Sequence, residues 1–126
     1  CVEVATHRHG CCVLQRCIDF ATPPQKQALI AEISKQALSL AQDAFGNYVV
    51  QYVLELGHLE ACQAIVNSLR GNFATLSLQK FSSNVVERCL KLGGMELEKD
   101  WIVRELADAV TLSRLLQVRA GRHPTS

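Results

Sequence analysis

The sequence carries almost no excess of charge: 13 Lys and Arg stand against 12 Asp and Glu in 126 residues, a formal net charge of +1. Proteins that grip duplex backbones present a basic patch or stripe, so the balance counts against bulk phosphate binding. It leaves open a protein that takes single-stranded bases one at a time. The six cysteines contain no Cys-x-x-Cys pair, and the cluster His7, His9, Cys11 and Cys12 fits the spacing of no common zinc finger. Neither metal nor cofactor is therefore expected. No apolar run is long enough to span a bilayer, and no stretch reads as a signal peptide. With free thiols throughout, the expected location is cytoplasmic. No nucleophile, base and orienter can be assembled and no glycine-rich phosphate loop is present, which argues against an enzyme. Nothing alternates with period two for long enough to make a sheet.

What the chain does have is a period. Gly46-Asn47-Tyr48-Val49-Val50-Gln51 is answered 36 positions later by Ser82-Ser83-Asn84-Val85-Val86-Glu87, and 36 positions earlier by Gly10-Cys11-Cys12-Val13-Leu14-Gln15. The register extends to Ile18, Leu54 and Leu90, to Phe20, Leu56 and Leu92, and to the pair Phe45 and Phe81. The third copy slips by one residue after Gly93-Gly94, so that Ile102, Val103 and Leu106 answer Ile65, Val66 and Leu69. A fixed period of this size is the signature of a solenoid, in which each repeat buries its apolar face on its neighbours.

Taken in order, residues 1–9 match the slots of 37–45. Gly10 opens a helix to about Phe20 in which Val13, Leu14, Cys17 and Ile18 form an inward stripe. Ala21-Thr22-Pro23-Pro24 is a stop and restart, with Thr22 as cap and proline in the first turn. The next helix runs to about Gln36 with Ala28, Leu29 and Ile33 inward. A short segment from Leu38 to Ala44 then leads into the second copy. That copy comprises Asn47 to Leu56, a Gly57-His58 break, and Leu59 to Leu69. In the third, Phe73 to Lys80 and Ser83 to Leu92 precede a helix from Met95 to about Val110 that carries Trp101 as a core residue. The expected organisation is a repeat array over 1–117 (1–37, 38–72, 73–110 and the start of a fourth repeat at 111–117), with a disordered tail over 118–126. The array is all-α. Its uncapped ends, around Val2 and Val4 and around Leu112, Leu115 and Leu116, are candidates for end-to-end self-association.

Within each six-residue motif, the first, second and fifth of the residues that follow the opening Gly or Ser share one helical face. These are Cys11, Cys12 and Gln15, then Asn47, Tyr48 and Gln51, then Ser83, Asn84 and Glu87. They carry thiol, amide, hydroxyl and carboxylate groups while the slots between them stay aliphatic. Burying such a ladder without partners is unfavourable, so it is expected to form a patterned surface.

These three triplets in one register, at 36-residue spacing, resemble the Pumilio (PUF) family of RNA-binding repeats over about Cys1 to Gln117. The resemblance implies a right-handed α-α superhelix that reads one RNA base per repeat with two or three side chains. It further implies that the first and fifth slots bond the base edge while the second stacks between bases. On that reading Asn47 and Gln51 take uracil with Tyr48 stacking, Ser83 and Glu87 take guanine with Asn84 stacking, and Cys11 and Gln15 take adenine. The RNA runs antiparallel to the repeats, giving 5′-GUA-3′ within a UGUA-type element of an mRNA 3′-untranslated region. The implied role is control of mRNA translation or stability, with effector proteins on the outer face. Two departures stand out: Cys12 occupies a slot where the adenine-reading repeat carries Arg, and the fourth repeat stops before its triplet. Stacking contributes about 1–3 kcal/mol per base, so three rungs give on the order of 3–9 kcal/mol before association costs, and binding by this stretch alone is expected to be weak. The alternatives are an α-solenoid scaffold for proteins, which predicts a period nearer 40 and no such ladder, and a drifted repeat protein with nonspecific nucleic-acid binding.

Overall fold

The computed structural model describes residues 6–92 and 94–119. Every regular element among them is helical: α1 (Gly10–Phe20), α2 (Pro23–Lys35), α3 (Ala37–Ala41), α4 (Gly46–Glu55), α5 (Leu59–Leu69), α6 (Phe73–Ser77), α7 (Ser82–Leu90) and α8 (Glu96–Arg119). Helices α1, α4 and α7 pack side by side as one layer, and α2 lies against α5 in a second. The short helices join the layers: α3 touches α2, α4 and α5, and α6 touches α7 and α8. The result is an all-α solenoid, in which each repeat packs on its neighbours.

The motif helices form because each is gripped on several sides. In α4, Val49, Val50, Val53 and Leu54 have no exposed surface, an i, i+1, i+4, i+5 set that faces both the neighbouring helix and the second layer. Valine is a mediocre helix former by some tenths of a kcal/mol, but full burial of an aliphatic side chain contributes about 1.5–3 kcal/mol and wins. The same slots are buried in α7 as Val85, Val86 and Cys89. In α1 only Leu14 and Ile18 follow suit: Val13 is 53% exposed and Cys17 is exposed, against the expectation that both lie inward. In the other two copies that face is covered by the preceding motif helix, and among the described residues α1 has no such neighbour. Ala28 is exposed as well. Trp101, expected in the core, is half-buried at the rim, with the Arg70 guanidinium 4.2 Å above its ring.

The breaks follow from local chemistry. Gln25 Oε1 accepts from the Thr22 backbone N–H at 3.1 Å, and Pro23 and Pro24 fill the first turn of α2, where no amide is needed. After α4 the chain turns on Gly57 at φ 75°. Gly94, also at φ 75°, makes the equivalent turn one residue late, which is the slip in register. Helix α8 continues to Arg119 without the expected break near Val110, because no Gly or Pro interrupts the run from Thr111 to Gln117. Val118 and Arg119 are thus helical rather than tail. Residues 120–126, together with Val2 and Val4, lie outside the described residues, as do the side chains of Leu115 and Leu116. Leu112 is 58% exposed.

One close approach sets the angle between α3 and α4. A Cβ on Gly46 would lie 2.9 Å from the Leu40 carbonyl oxygen. In the third copy Ser82 holds this slot, buried, and its hydroxyl donates to the equivalent carbonyl of Leu76 at 2.7 Å. Gly46→Ala is therefore expected to lower unfolding free energy by about 1–3 kcal/mol in urea titrations, and Gly46→Ser by less. A change below about 0.5 kcal/mol for Gly46→Ala would mean that the two helices separate freely.

Candidate nucleic-acid interface

The first motif slot lies at the start of each motif helix, and its side chain turns back. Cys11 Sγ donates to the Arg8 carbonyl at 3.4 Å, Asn47 Nδ2 to the Ala44 carbonyl at 3.0 Å, and Ser83 Oγ to the Lys80 carbonyl at 3.1 Å. The acceptor is three residues back in every case. Asn47 Nδ2 also donates to the Asp43 carbonyl at 2.8 Å. This corrects the expectation that the whole ladder is solvent surface: Asn47 is fully buried, Cys11 is 4% exposed and Ser83 is half-buried. A short polar side chain can sit inside the turn at no large penalty because a turn carbonyl is there to receive it.

The second slot faces out. Cys12, Tyr48 and Asn84 are all exposed, and Tyr48 presents 54% of its surface. The fifth slot is intermediate for Gln15 and Gln51 and exposed for Glu87. Gln51 Nε2 donates to Asn47 Oδ1 at 2.9 Å, so each amide hydrogen of Asn47 has a carbonyl and its oxygen has Gln51. That fixes the orientation of the Asn47 amide and leaves Gln51 as the member of the pair that reaches solvent.

Glu87 is held differently. Lys91, one turn further on at the C-cap of α7, donates to its Oε1 at 2.8 Å. That hydrogen bond and the positive charge hold the Glu87 carboxyl below the usual carboxylate range, so it is ionised at neutral pH. Burial, with the Cys12 thiol beside it, pushes the Cys11 thiol up and keeps it a neutral donor. Burial likewise raises the Cys62 thiol, and pushes Cys89 up to about 12; both are inert core residues. His7 and His9 are exposed, and among the described residues no three His, Cys, Asp or Glu converge as a metal site.

Two supporting residues escaped the sequence reading. Asp43 Oδ2 accepts from the Phe45 and Gly46 amides at 2.9 and 2.8 Å, fixing the turn into α4. Lys91 was legible as an i, i+4 partner of Glu87. Three adjacent helices thus offer a neutral amide pair, a hydroxyl with a carboxylate, and a thiol with an amide, each beside an exposed second-slot side chain.

The sequence profile of the Pumilio-family RNA binding repeat matches residues 1–34, 36–70 and 72–107. Pumilio homolog 12 of Arabidopsis thaliana is 52% identical over 118 residues, covering 94% of this chain and 19% of the relative. A Pumilio domain-containing protein of Schizosaccharomyces pombe is 47% identical over 116 residues, covering 92% of this chain and 17% of its own length. The chain spans about a fifth of the length of the curated relatives it matches. Among solved structures, the Puf4 RNA-binding domain bound to the HO endonuclease RNA 3′ UTR recognition sequence superposes with a TM-score of 0.76 at 38% identity, covering 86% of this chain and 34% of that one. PUF-8 in complex with PBE-RNA gives 0.73 at 37% identity, with 82% and 30% covered. The chain belongs to the Pumilio family of RNA-binding repeats.

Proposed function

We propose that this chain binds single-stranded RNA in a sequence-specific manner, one base per repeat, as part of post-transcriptional control of mRNA translation or stability. The observation that carries the reading is the same slot geometry on three neighbouring helices with three different hydrogen-bonding sets. A generic scaffold has no use for that variation. The array is proposed to occupy residues 1–117 with its repeats at 1–37, 38–72, 73–110 and 111–117. The base-reading residues are Cys11 and Gln15 for adenine, Asn47 and Gln51 for uracil, and Ser83 and Glu87 for guanine, with Cys12, Tyr48 and Asn84 against the base faces. Gln51 reaches the uracil edge directly, while Asn47 orients it from below. The proposed triplet is 5′-GUA-3′, and the 3′ UTR ligand of the Puf4 relative supports a 3′-untranslated region as its setting. This reading puts the protein in the cytoplasm, where mRNA is translated. Effector proteins have a candidate seat in the second layer, a groove of about 610 Å³ between α2 and α5 lined by Lys26, Ile30, Ala31, Lys35, Ala61 and Ala64.

Fluorescence polarisation of a short RNA containing UGUA, against the same RNA with its G changed to C, tests the reading. The expected result is weak binding to the first and about ten- to hundredfold weaker binding to the second, the usual range for one lost base contact. Equal binding to both would replace the reading with a nonspecific nucleic-acid binder; binding to neither at high micromolar protein calls for the same assay with flanking repeats added, where continued absence of binding favours a protein scaffold.

A further inference from the structure

Neighbouring motif helices are tied together one turn beyond the slots of the ladder. Tyr52, in the sixth slot of α4, donates its hydroxyl to Asp19 Oδ1, in the ninth slot of α1. Arg88, in the sixth slot of α7, pairs with Glu55, in the ninth slot of α4, at 2.9 Å. On each helix the sixth slot follows the second by four residues and the ninth follows the fifth by four. Both therefore lie on the ladder's own faces, about 6 Å further along the axis. Each link thus runs from beneath the exposed second slot of one repeat, Tyr48 or Asn84, to beneath the fifth slot of the repeat before it, Gln15 or Gln51. Those two slots bound the gap between consecutive rungs. The first link is a phenol on a carboxylate, and its hydrogen bond, which favours the protonated phenol, raises Tyr52 above its ordinary value. The second is an ion pair whose side chains are 38% and 48% exposed.

We propose that these two links set the step between successive RNA bases, a role that rests on the base-reading assignment above. Tyr52 with Asp19 fixes the uracil-to-adenine step between α4 and α1, and Arg88 with Glu55 fixes the guanine-to-uracil step between α7 and α4. The four are positioning residues: they touch one another and not the RNA. Apolar packing through Val49, Val53, Val85 and Cys89 joins the same helices, but burial has no direction and permits small slides and splaying. A hydrogen bond or an ion pair has a defined length, so it holds the second slot of one repeat at a set distance from the fifth slot of the repeat before it. Setting that distance before RNA arrives removes an ordering cost from binding. A strand with contiguous reading bases then meets neighbouring rungs together, whereas one extra nucleotide between two of them must be bulged out. Each link governs only its own step.

The test is NMR titration of the chain with RNAs containing UGUA, UGCUA or UGUCA, the last two with one cytidine inserted at the guanine-to-uracil or the uracil-to-adenine step. NMR reads dissociation constants into the millimolar range, so weak binding is measured directly. Wild type is expected to prefer UGUA to both spaced RNAs. Arg88→Gln is expected to reduce the preference over UGCUA by about two- to fivefold, the scale of a surface pair, and to leave the preference over UGUCA unchanged. Tyr52→Phe is expected to do the reverse. Exchanging the charges, Glu55→Arg with Arg88→Glu, restores the wild-type ratio, whereas either change alone reduces it. A general loss of folding lowers affinity for all three RNAs alike and cannot generate a ratio confined to one step. Equal changes at both steps, no change at either, or no recovery in the exchanged pair would overturn the inference. So would a wild type that binds the spaced RNAs as tightly as UGUA. The base-reading assignment fails on a separate result: if UCUA binds as tightly as UGUA, it falls and the step rule falls with it.

Discussion

Glu87→Gln is expected to move the preference of the third repeat from guanine to adenine. A carboxylate only accepts, which suits the N1–H and N2–H donors of the guanine edge, and the bond is strong because the acceptor is ionised. A Gln amide both donates and accepts, which matches adenine and turns the Ser83 rung into the chemistry of the Cys11 and Gln15 rung. With about 1–3 kcal/mol of discrimination per base, a UGUA RNA should lose roughly ten- to hundredfold in affinity, and the RNA with A in place of that G should gain a comparable factor. The substitution leaves the fold alone, since Glu87 is exposed and its pairing with Lys91 is a surface pair. The pH profile gives a second readout. Lys91 lowers the folded-state pKa of Glu87, so the ionised acceptor is present throughout the neutral range and above the ordinary carboxylate value. It is lost only as pH falls through the lowered value. Guanine preference in the wild type should therefore be flat from neutral down to mild acid and fall away only below that, whereas the adenine preference of Glu87→Gln should show no acid limb from this side chain. A Glu87→Gln chain that still prefers guanine would sink the assignment of this rung.

Where sequence reading succeeded, the interaction concerned was periodic. The 36-residue register of Val49 with Val85 and of Leu54 with Leu90 reflects packing that recurs identically at each interface, so it writes itself into the residue pattern. The outward second slots were legible for the same reason. Burial of Asn47 was not, because it depends on a carbonyl three residues back that no side-chain pattern reports. Val13 and Cys17 were misread as core because their slots are core wherever a preceding helix covers them; periodicity encodes the slot, not its occupancy by a neighbour. Trp101 was assigned inward on hydrophobicity, whereas its ring serves as a platform for Arg70 from the end of the previous repeat. The links from Tyr52 to Asp19 and from Arg88 to Glu55, each joining one motif helix to the one before it, had a readable signal, a donor and a carboxylate at a separation of 33, but it lies across the repeat boundary and emerges only when consecutive copies are compared diagonally.

Phe73→Ala is expected to produce the largest loss of stability, about 3–5 kcal/mol, with a fall in Tm on the order of 10–20 °C. Phe73 is fully buried and opens α6, a helix of five residues that cannot persist on its own propensity. The helix survives because Phe73 anchors it and because Glu105, from α8, receives the Phe73 amide at 2.8 Å and the Gly71 amide at 3.0 Å. Its register partner in the second copy is Ala37, also fully buried, so a small residue is tolerated in this slot where the surroundings are built for it. The surroundings of Phe73 are not, and truncation leaves a cavity between α6, α7 and α8. Glu105→Gln, which keeps the shape and one acceptor of the grip, should cost much less, separating loss of packing from loss of the cap. The turn after α6 aims the first slot of α7, where Ser83 donates to the Lys80 carbonyl, so damage at Phe73 is transmitted to the guanine rung. Hydrogen exchange should accordingly rise first over α6 and the start of α7, at temperatures where α4 is still protected. Uniform loss of protection across α4 and α7 would instead mean that the repeats unfold as one unit, and a Tm within about 2 °C of wild type would mean that α6 does not anchor the third repeat at all.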